Sequence, residues 1–136
     1  MMTGGCLCGA VRYRTVAMPK YSGFCHCRDC QRATGTGHCC YMIFSRGEVA
    51  FTGAIKSFST IGGSGAETVR SFCENCGSPI FGSGPPDDDR WTVYAGTLDD
   101  PSLFQPDSAV MTSRRPVWDH IAGGLPEFEN MPGSGN

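Results

Sequence analysis

The chain has 136 residues, of which 40% are hydrophobic and 18% charged, and its net charge at pH 7 is −2. That length suits one domain with a core of its own, and the lack of any basic run argues against a nucleic-acid partner. No apolar stretch approaches the roughly 20 residues of a membrane span. Met1-Met2-Thr3-Gly4-Gly5-Cys6 has neither the charged nor the long apolar segment of a secretory signal, so a cytoplasmic location is expected.

The elements are short and mostly strands. Ala10 to Val16 alternates, with Val11, Tyr13 and Thr15 against Arg12 and Arg14, the period of a half-buried strand. Met18-Pro19 ends it, and Tyr21 to Phe24 carries a second strand into a cysteine-rich run. Arg28 to Thr34 has room for one helical turn, stopped by Gly35 to Gly37. His38 to Phe44 is an apolar strand, and Glu48 to Thr52 follows it across the turn Ser45-Arg46-Gly47. Ile55 to Thr60 alternates, the glycine-rich stretch to Gly65 is a loop, and Glu67 to Phe72 reads as a strand leading to Cys73. Pro79 to Phe81 and Arg90 to Ala95 extend the pattern on either side of an exposed turn at Pro85 to Asp89. Ala109 to Thr112 is expected as a strand, Val117 to Ile121 as a short helix, and residues 133–136 as a disordered tail. Short strands at regular spacing with almost no helical period predict an all-β fold.

Nine cysteines are many for this length. In a reducing compartment clustered thiols read as metal ligands or catalytic groups rather than disulfides. Cys73-Glu74-Asn75-Cys76-Gly77 has the spacing that brings two sulfurs onto one ion, whereas a redox C-x-x-C belongs at the start of a helix in a βαβ unit. Cys6 and Cys8, bracketed by glycines, are the natural partners for a closed four-sulfur site. Cys25, Cys27 and Cys30 bring three more sulfurs together, with no neighbouring cysteine to complete a tetrahedron. That is the arrangement of a catalytic ion, which keeps one position open. The competing reading is a second structural site closed by His26, His38, Cys39 or Cys40. Cys39 and Cys40 lie on a strand and face opposite ways, so packing is their expected role. Arg28 and Arg32, beside the open run, are candidates to receive a substrate carboxylate.

Gly5-Cys6-Leu7-Cys8-Gly9-Ala10-Val11-Arg12-Tyr13, Cys25-His26-Cys27-Arg28-Asp29-Cys30-Gln31-Arg32, Phe72-Cys73-Glu74-Asn75-Cys76-Gly77-Ser78-Pro79-Ile80-Phe81 and the tail around Pro116-Val117-Trp118-Asp119-His120 carry a resemblance. The chain resembles the glutathione-dependent formaldehyde-activating family, also described as the centromere-protein-V-like domain, over residues 4 to 132 as a single zinc-binding domain. The resemblance implies a β-tent of antiparallel sheets pinned by two zinc ions with minimal helix. It implies a structural ion on Cys6, Cys8, Cys73 and Cys76, and a catalytic ion on Cys25, Cys27 and Cys30. The implied activity is a carbon–sulfur lyase reaction on the adduct of an aldehyde with glutathione or a similar small thiol. The alternative is a non-enzymatic zinc module that binds a protein partner through apolar residues such as Phe104, Trp118, Leu125 and Phe128. The oligomeric state is not legible in the sequence.

Overall fold

The computed structural model describes residues 1–132, so the tail expected at 133–136 lies outside the described residues. The fold is mostly β. Ten strands form two sheets: β1 (Met2–Gly5), β2 (Arg12–Thr15), β3 (Tyr21–Cys25), β4 (Cys39–Ser45), β5 (Ala50–Thr52), β6 (Ile55–Ile61), β7 (Glu67–Cys73), β8 (Pro79–Ser83), β9 (Arg90–Tyr94) and β10 (Ser108–Val110). The smaller sheet runs β1-β2-β5 and the larger β10-β3-β4-β9-β8-β7-β6. All pairings between strands are antiparallel except β10 with β3, which is parallel and makes the larger sheet mixed. None of the helices in the described residues is long and apolar enough to cross a membrane.

The alternation expected in β2 is present: Tyr13 and Thr15 are buried while Arg12 and Arg14 are exposed. β4 is apolar because both of its faces are covered. Cys40, Met42 and Phe44 point into the main core with Val11, Tyr13, Ile80, Phe81 and Val93. Cys39, Tyr41 and Ile43 point the other way, into a second cluster with Cys30, Tyr94 and Val110. The two faces of one strand therefore serve different purposes, core on one side and functional centre on the other.

The one α-helix, α1 (Arg28–Thr34), is longer than the single turn expected. Cys27 caps it with a sulfur that accepts from the Cys30 N–H at 3.3 Å. Gly35 ends it at φ 75°, and its N–H donates to the Gln31 carbonyl at 2.8 Å. That left-handed conformation favours glycine because it has no Cβ. The helix expected at Val117 to Ile121 is absent; Val117 and Trp118 form a turn. Both side chains are exposed and Asp119 turns inward to His26 and His38, so the five residues lack a continuous apolar stripe to offset the cost of a helical nucleus. The strand at Ala109 to Thr112 ends earlier than expected, at Val110, because Thr112 begins a 3₁₀ turn through Arg114. β1, which was not expected, pairs with β2 from Met2↔Thr15 to Gly5↔Arg12.

Candidate metal centres

Two knuckles meet at one end of the sheets. The first lies between β1 and β2 and carries Cys6 and Cys8; the second follows β7 and carries Cys73 and Cys76. Their four sulfurs lie within 4.8 Å of one another. Cys6 and Cys8 sulfurs are 3.5 Å apart and those of Cys8 and Cys73 are 3.8 Å apart. Sulfurs at zinc's tetrahedral corners, with bonds of about 2.3 Å, stand roughly 3.8 Å apart, so this donor set fits the ion in chemistry and in spacing.

Hydrogen bonds orient these sulfurs. The Val11 N–H donates to Cys6 Sγ at 3.2 Å, and the Cys76 N–H points to Cys73 Sγ at 3.5 Å. Gly77 turns the second knuckle at φ 76° and donates to the Cys73 carbonyl. Ser78 joins the two knuckles: its Oγ accepts from the Leu7 N–H at 3.1 Å and lies 3.2 Å from Cys76 Sγ. That hydroxyl, with backbone donors beside it, pulls the Cys76 thiol down to about 5. Ser78 carries no signal in the sequence beyond its place after the glycine.

The second centre lies on the opposite face of the larger sheet. Cys25 ends β3, Cys27 caps α1 and Cys30 sits in its first turn. The three sulfurs gather within 4.8 Å of one another. Cys39 lies directly across from Cys25 in the β3–β4 register, and its thiol adjoins those of Cys25 and Cys30. Cys40 points away, into the main core, as expected for strand neighbours. Within this crowded group the Cys30 thiol is held well below its ordinary value by Cys25, Cys27 and Cys39, while Cys25 is pushed up.

A cavity of about 270 Å³ opens above the second centre. Cys25, Cys30 and Cys39 line it, together with Tyr41, Tyr94 and Arg70. Arg90 and Asp88 stand at its rim, joined by hydrogen bonds of 3.0 and 2.8 Å. Arg28 and Arg32, the arginines suggested by the sequence, do not line it. Arg28 is bonded to Gln31, and Arg32 borders a separate depression beside Phe58 and Phe72. Arg70 and the two tyrosines were not anticipated. Their one advance signal is the alternation of β7 and β9, whose Thr68 and Arg70 and whose Thr92 and Tyr94 share the cavity.

His26 faces away from the thiols, as the extended geometry of the run requires, and is fully buried. Its Nδ1 lies 3.1 Å from Asp119 Oδ2 and 3.3 Å from the Gly37 carbonyl. His38 Nδ1 lies 2.8 Å from the same Asp119 oxygen. Burial and the Arg115 cation push the His26 imidazole down, so the ring stays neutral. Its Nδ1–H donates to the Gly37 carbonyl beside the Asp119 carboxylate, and its Nε2 faces the Arg115 guanidinium at 3.5 Å. These three side chains stand close enough to hold an ion. They are equally satisfied by hydrogen bonds alone, and the outcome is mechanical: the C-terminal segment is tied to the peptide between two candidate ligands. Gln31 adds to this tie, its Nε2 donating to the His26 carbonyl at 2.7 Å and to the Arg114 carbonyl at 3.0 Å.

Two sheets joined at paired cysteine knuckles, with a further thiol cluster opening on a cavity, define a thiol-clustered β protein whose donors suit a soft metal ion. A family model described as glutathione-dependent formaldehyde-activating enzyme matches residues 1–114, and the chain belongs to that family. Membership links it to glutathione-dependent, aldehyde-related chemistry. No curated protein matches the chain. A crystal structure of a Rhodobacter sphaeroides protein is similar in fold, with a TM-score of 0.57 at 21% identity over 77% of this chain and 97% of that one.

Proposed function

We propose that this protein is a zinc-dependent carbon–sulfur lyase acting on the adduct of an aldehyde with glutathione or a similar small thiol. In this reading Cys6, Cys8, Cys73 and Cys76 hold a structural ion, and Cys25, Cys27 and Cys30 hold the catalytic one. A zinc ion bound by the trio supplies an open position where an incoming thiol binds and gives up its proton more readily. The carrying observation is that two of the trio, Cys25 and Cys30, line a cavity of about 270 Å³. A closed structural site has no use for such a space.

In the synthetic direction the sulfur's electron pair forms the S–C bond, the C=O π pair moves onto oxygen, and the thiol's proton ends on that oxygen. The lyase direction reverses each step. The chain's own groups hold the thiol and aldehyde together in the cavity, which converts an encounter between two solutes into a positioned one. Burial pushes the Tyr41 and Tyr94 phenols up to about 12, so both keep their protons and act as hydrogen-bond donors at neutral pH.

The second reading is a non-enzymatic zinc module that binds a protein partner. It draws on Cys39, whose thiol adjoins those of Cys25 and Cys30 from outside the group of three, and on the exposed Val117 and Trp118. One experiment separates the two. The zinc-loaded protein, its metal counted, is mixed with formaldehyde and glutathione, and adduct formation is compared with the spontaneous rate. Two zinc ions per chain and a clear acceleration are expected, with Cys27→Ala keeping one ion and losing the acceleration. Two ions bound with no rate above the spontaneous one rejects the reaction for this substrate and favours the module.

A further inference from the structure

One cation in the cavity has no anionic side-chain partner. Arg70 sits on β7, half-buried, between Phe58 of β6 and Gly82 of β8 in the sheet register. Among the described residues no carboxylate forms an ion pair with it. The other arginine of the cavity, Arg90, is neutralised by Asp88. Glu67, also at the rim, accepts from Ser59 at 2.9 Å. Arg70 alone keeps its charge for something else.

Its position is built. The Arg70 side chain crosses β8 to reach β9, and its Nη1 donates to the Tyr94 hydroxyl at 3.1 Å. Gly82 leaves room for the hydroxyl it reaches: a Cβ there would lie 3.3 Å from Tyr94 Oη. The guanidinium shares the cavity lining with Cys25 and Cys30. Tyr94 Oη, with a lone pair engaged by Arg70, has its own hydrogen left to donate.

We propose that Arg70, held by Tyr94, is the oxyanion-binding residue of this centre, receiving the aldehyde-derived oxygen of the thiol adduct. The assignment rests on the thiol–aldehyde reading of the same site. The reasoning is one of reach. An adduct whose sulfur would sit beside Cys30 would carry its oxygen two bonds further on. Arg70 lines the same cavity as Cys30 and is the arginine there that no carboxylate engages. As the S–C bond forms, the oxygen gains the π electron pair, and a fixed fork of N–H donors in a water-poor cavity stabilises that charge without reorganising. As the S–C bond breaks, the same donors steady the oxygen while it loses its proton.

The test compares two ligands of nearly equal shape. S-Hydroxymethylglutathione, held in excess formaldehyde, ends in CH₂–OH; S-ethylglutathione ends in CH₂–CH₃. Calorimetry on the zinc-loaded protein is expected to give the hydroxymethyl compound an advantage of at least about tenfold, the value of one charge-assisted hydrogen bond. In Arg70→Met that ratio falls to about one while S-ethylglutathione binds as before. Arg70→Lys, which keeps the charge without the fork, retains part of the ratio. Tyr94→Phe, which keeps the ring and its packing, reduces it. Turnover in Arg70→Met drops by roughly 100-fold or more with the KM for glutathione unchanged. An unchanged ratio in Arg70→Met and Tyr94→Phe overturns the assignment and leaves the thiol–aldehyde reading standing. If neither ligand binds the wild-type protein, that reading falls and the assignment falls with it.

Discussion

Asp119 accepts from the His38 imidazole and stands 3.1 Å from that of His26, and both belong to segments that shape the second centre. His26 lies between Cys25 and Cys27, and His38 precedes Cys39. Replacing Asp119 with Ala leaves the fully buried Nδ1–H of His26 with only the long bond to Gly37, and leaves His38 without its carboxylate. An unsatisfied buried donor costs about 1–3 kcal/mol, so Asp119→Ala is expected to lower stability by about 2 kcal/mol in urea titration. Asp119→Asn keeps one acceptor oxygen and loses roughly half as much. Equal stability of wild type and Asp119→Ala would mean that the pair of imidazoles finds other partners. At this scale the sequence was informative about which thiols gather and silent about their surroundings. The seven cysteines announced themselves by spacing. Asp119 and Arg70 did not, because what makes them matter is a neighbour 93 or 24 positions away, at His26 and Tyr94 respectively. The same is true of Cys39, which reads as a packed strand cysteine until the β3–β4 register sets it opposite Cys25.

Among the elements, those with a clean period were legible and those stabilised by distant contacts were not. β2 and β4 follow from alternation and from an apolar run bounded by turn residues. β1 is short and glycine-containing, with little strand propensity of its own; its pairing with β2 and the Asp99 N–H bond to the Thr3 carbonyl at 3.0 Å hold it. The expected Val117 helix failed for the converse reason, lacking any surface to pack on. Asp99 shows how the smaller sheet is fastened to the rest. Its carboxylate accepts from Arg12 Nη1 at 2.9 Å and from Thr3 Oγ1 at 2.7 Å. Arg12 and Thr3 hold its carboxyl down to about 2. A carboxyl depressed in the folded state contributes stability above its unfolded value of about 4, and loses it as pH falls toward 2. Asp99→Asn is therefore expected to be less stable than wild type at pH 6, with the gap closing between about pH 4 and pH 2. Denaturant midpoints of the two proteins across that range check it, and a gap that persists at pH 2 would assign the difference to shape rather than charge.

For the whole molecule the four-sulfur centre matters more than its place at the edge suggests. Cys8 and Cys73 are 65 positions apart, and an ion held between their knuckles ties the β1–β2 hairpin to the junction of β7 and β8. Apart from that tie, the smaller sheet depends on the Asp99 bonds to Arg12 and Thr3 and on the core packing of Met2, Val11, Tyr13 and Phe51 against the larger one. A cross-link of this span acts on the unfolded chain much as a disulfide does, and contributes about 3 kcal/mol, or roughly 10 °C in Tm for a chain of this size. The trio behaves differently: Cys25, Cys27 and Cys30 are already close in sequence, and the loop they close is too short to constrain the unfolded chain much. The two centres should therefore separate in a melting experiment. Cys76→Ser in the zinc-loaded protein is expected to lose about 10 °C and to open the hairpin around Leu7 to limited proteolysis. Cys27→Ser is expected to melt within a few degrees of wild type while losing its ion and its turnover. A reversal of that order, with the trio variant the less stable, would move the structural role to the central ion and leave the edge site as the one free to do chemistry.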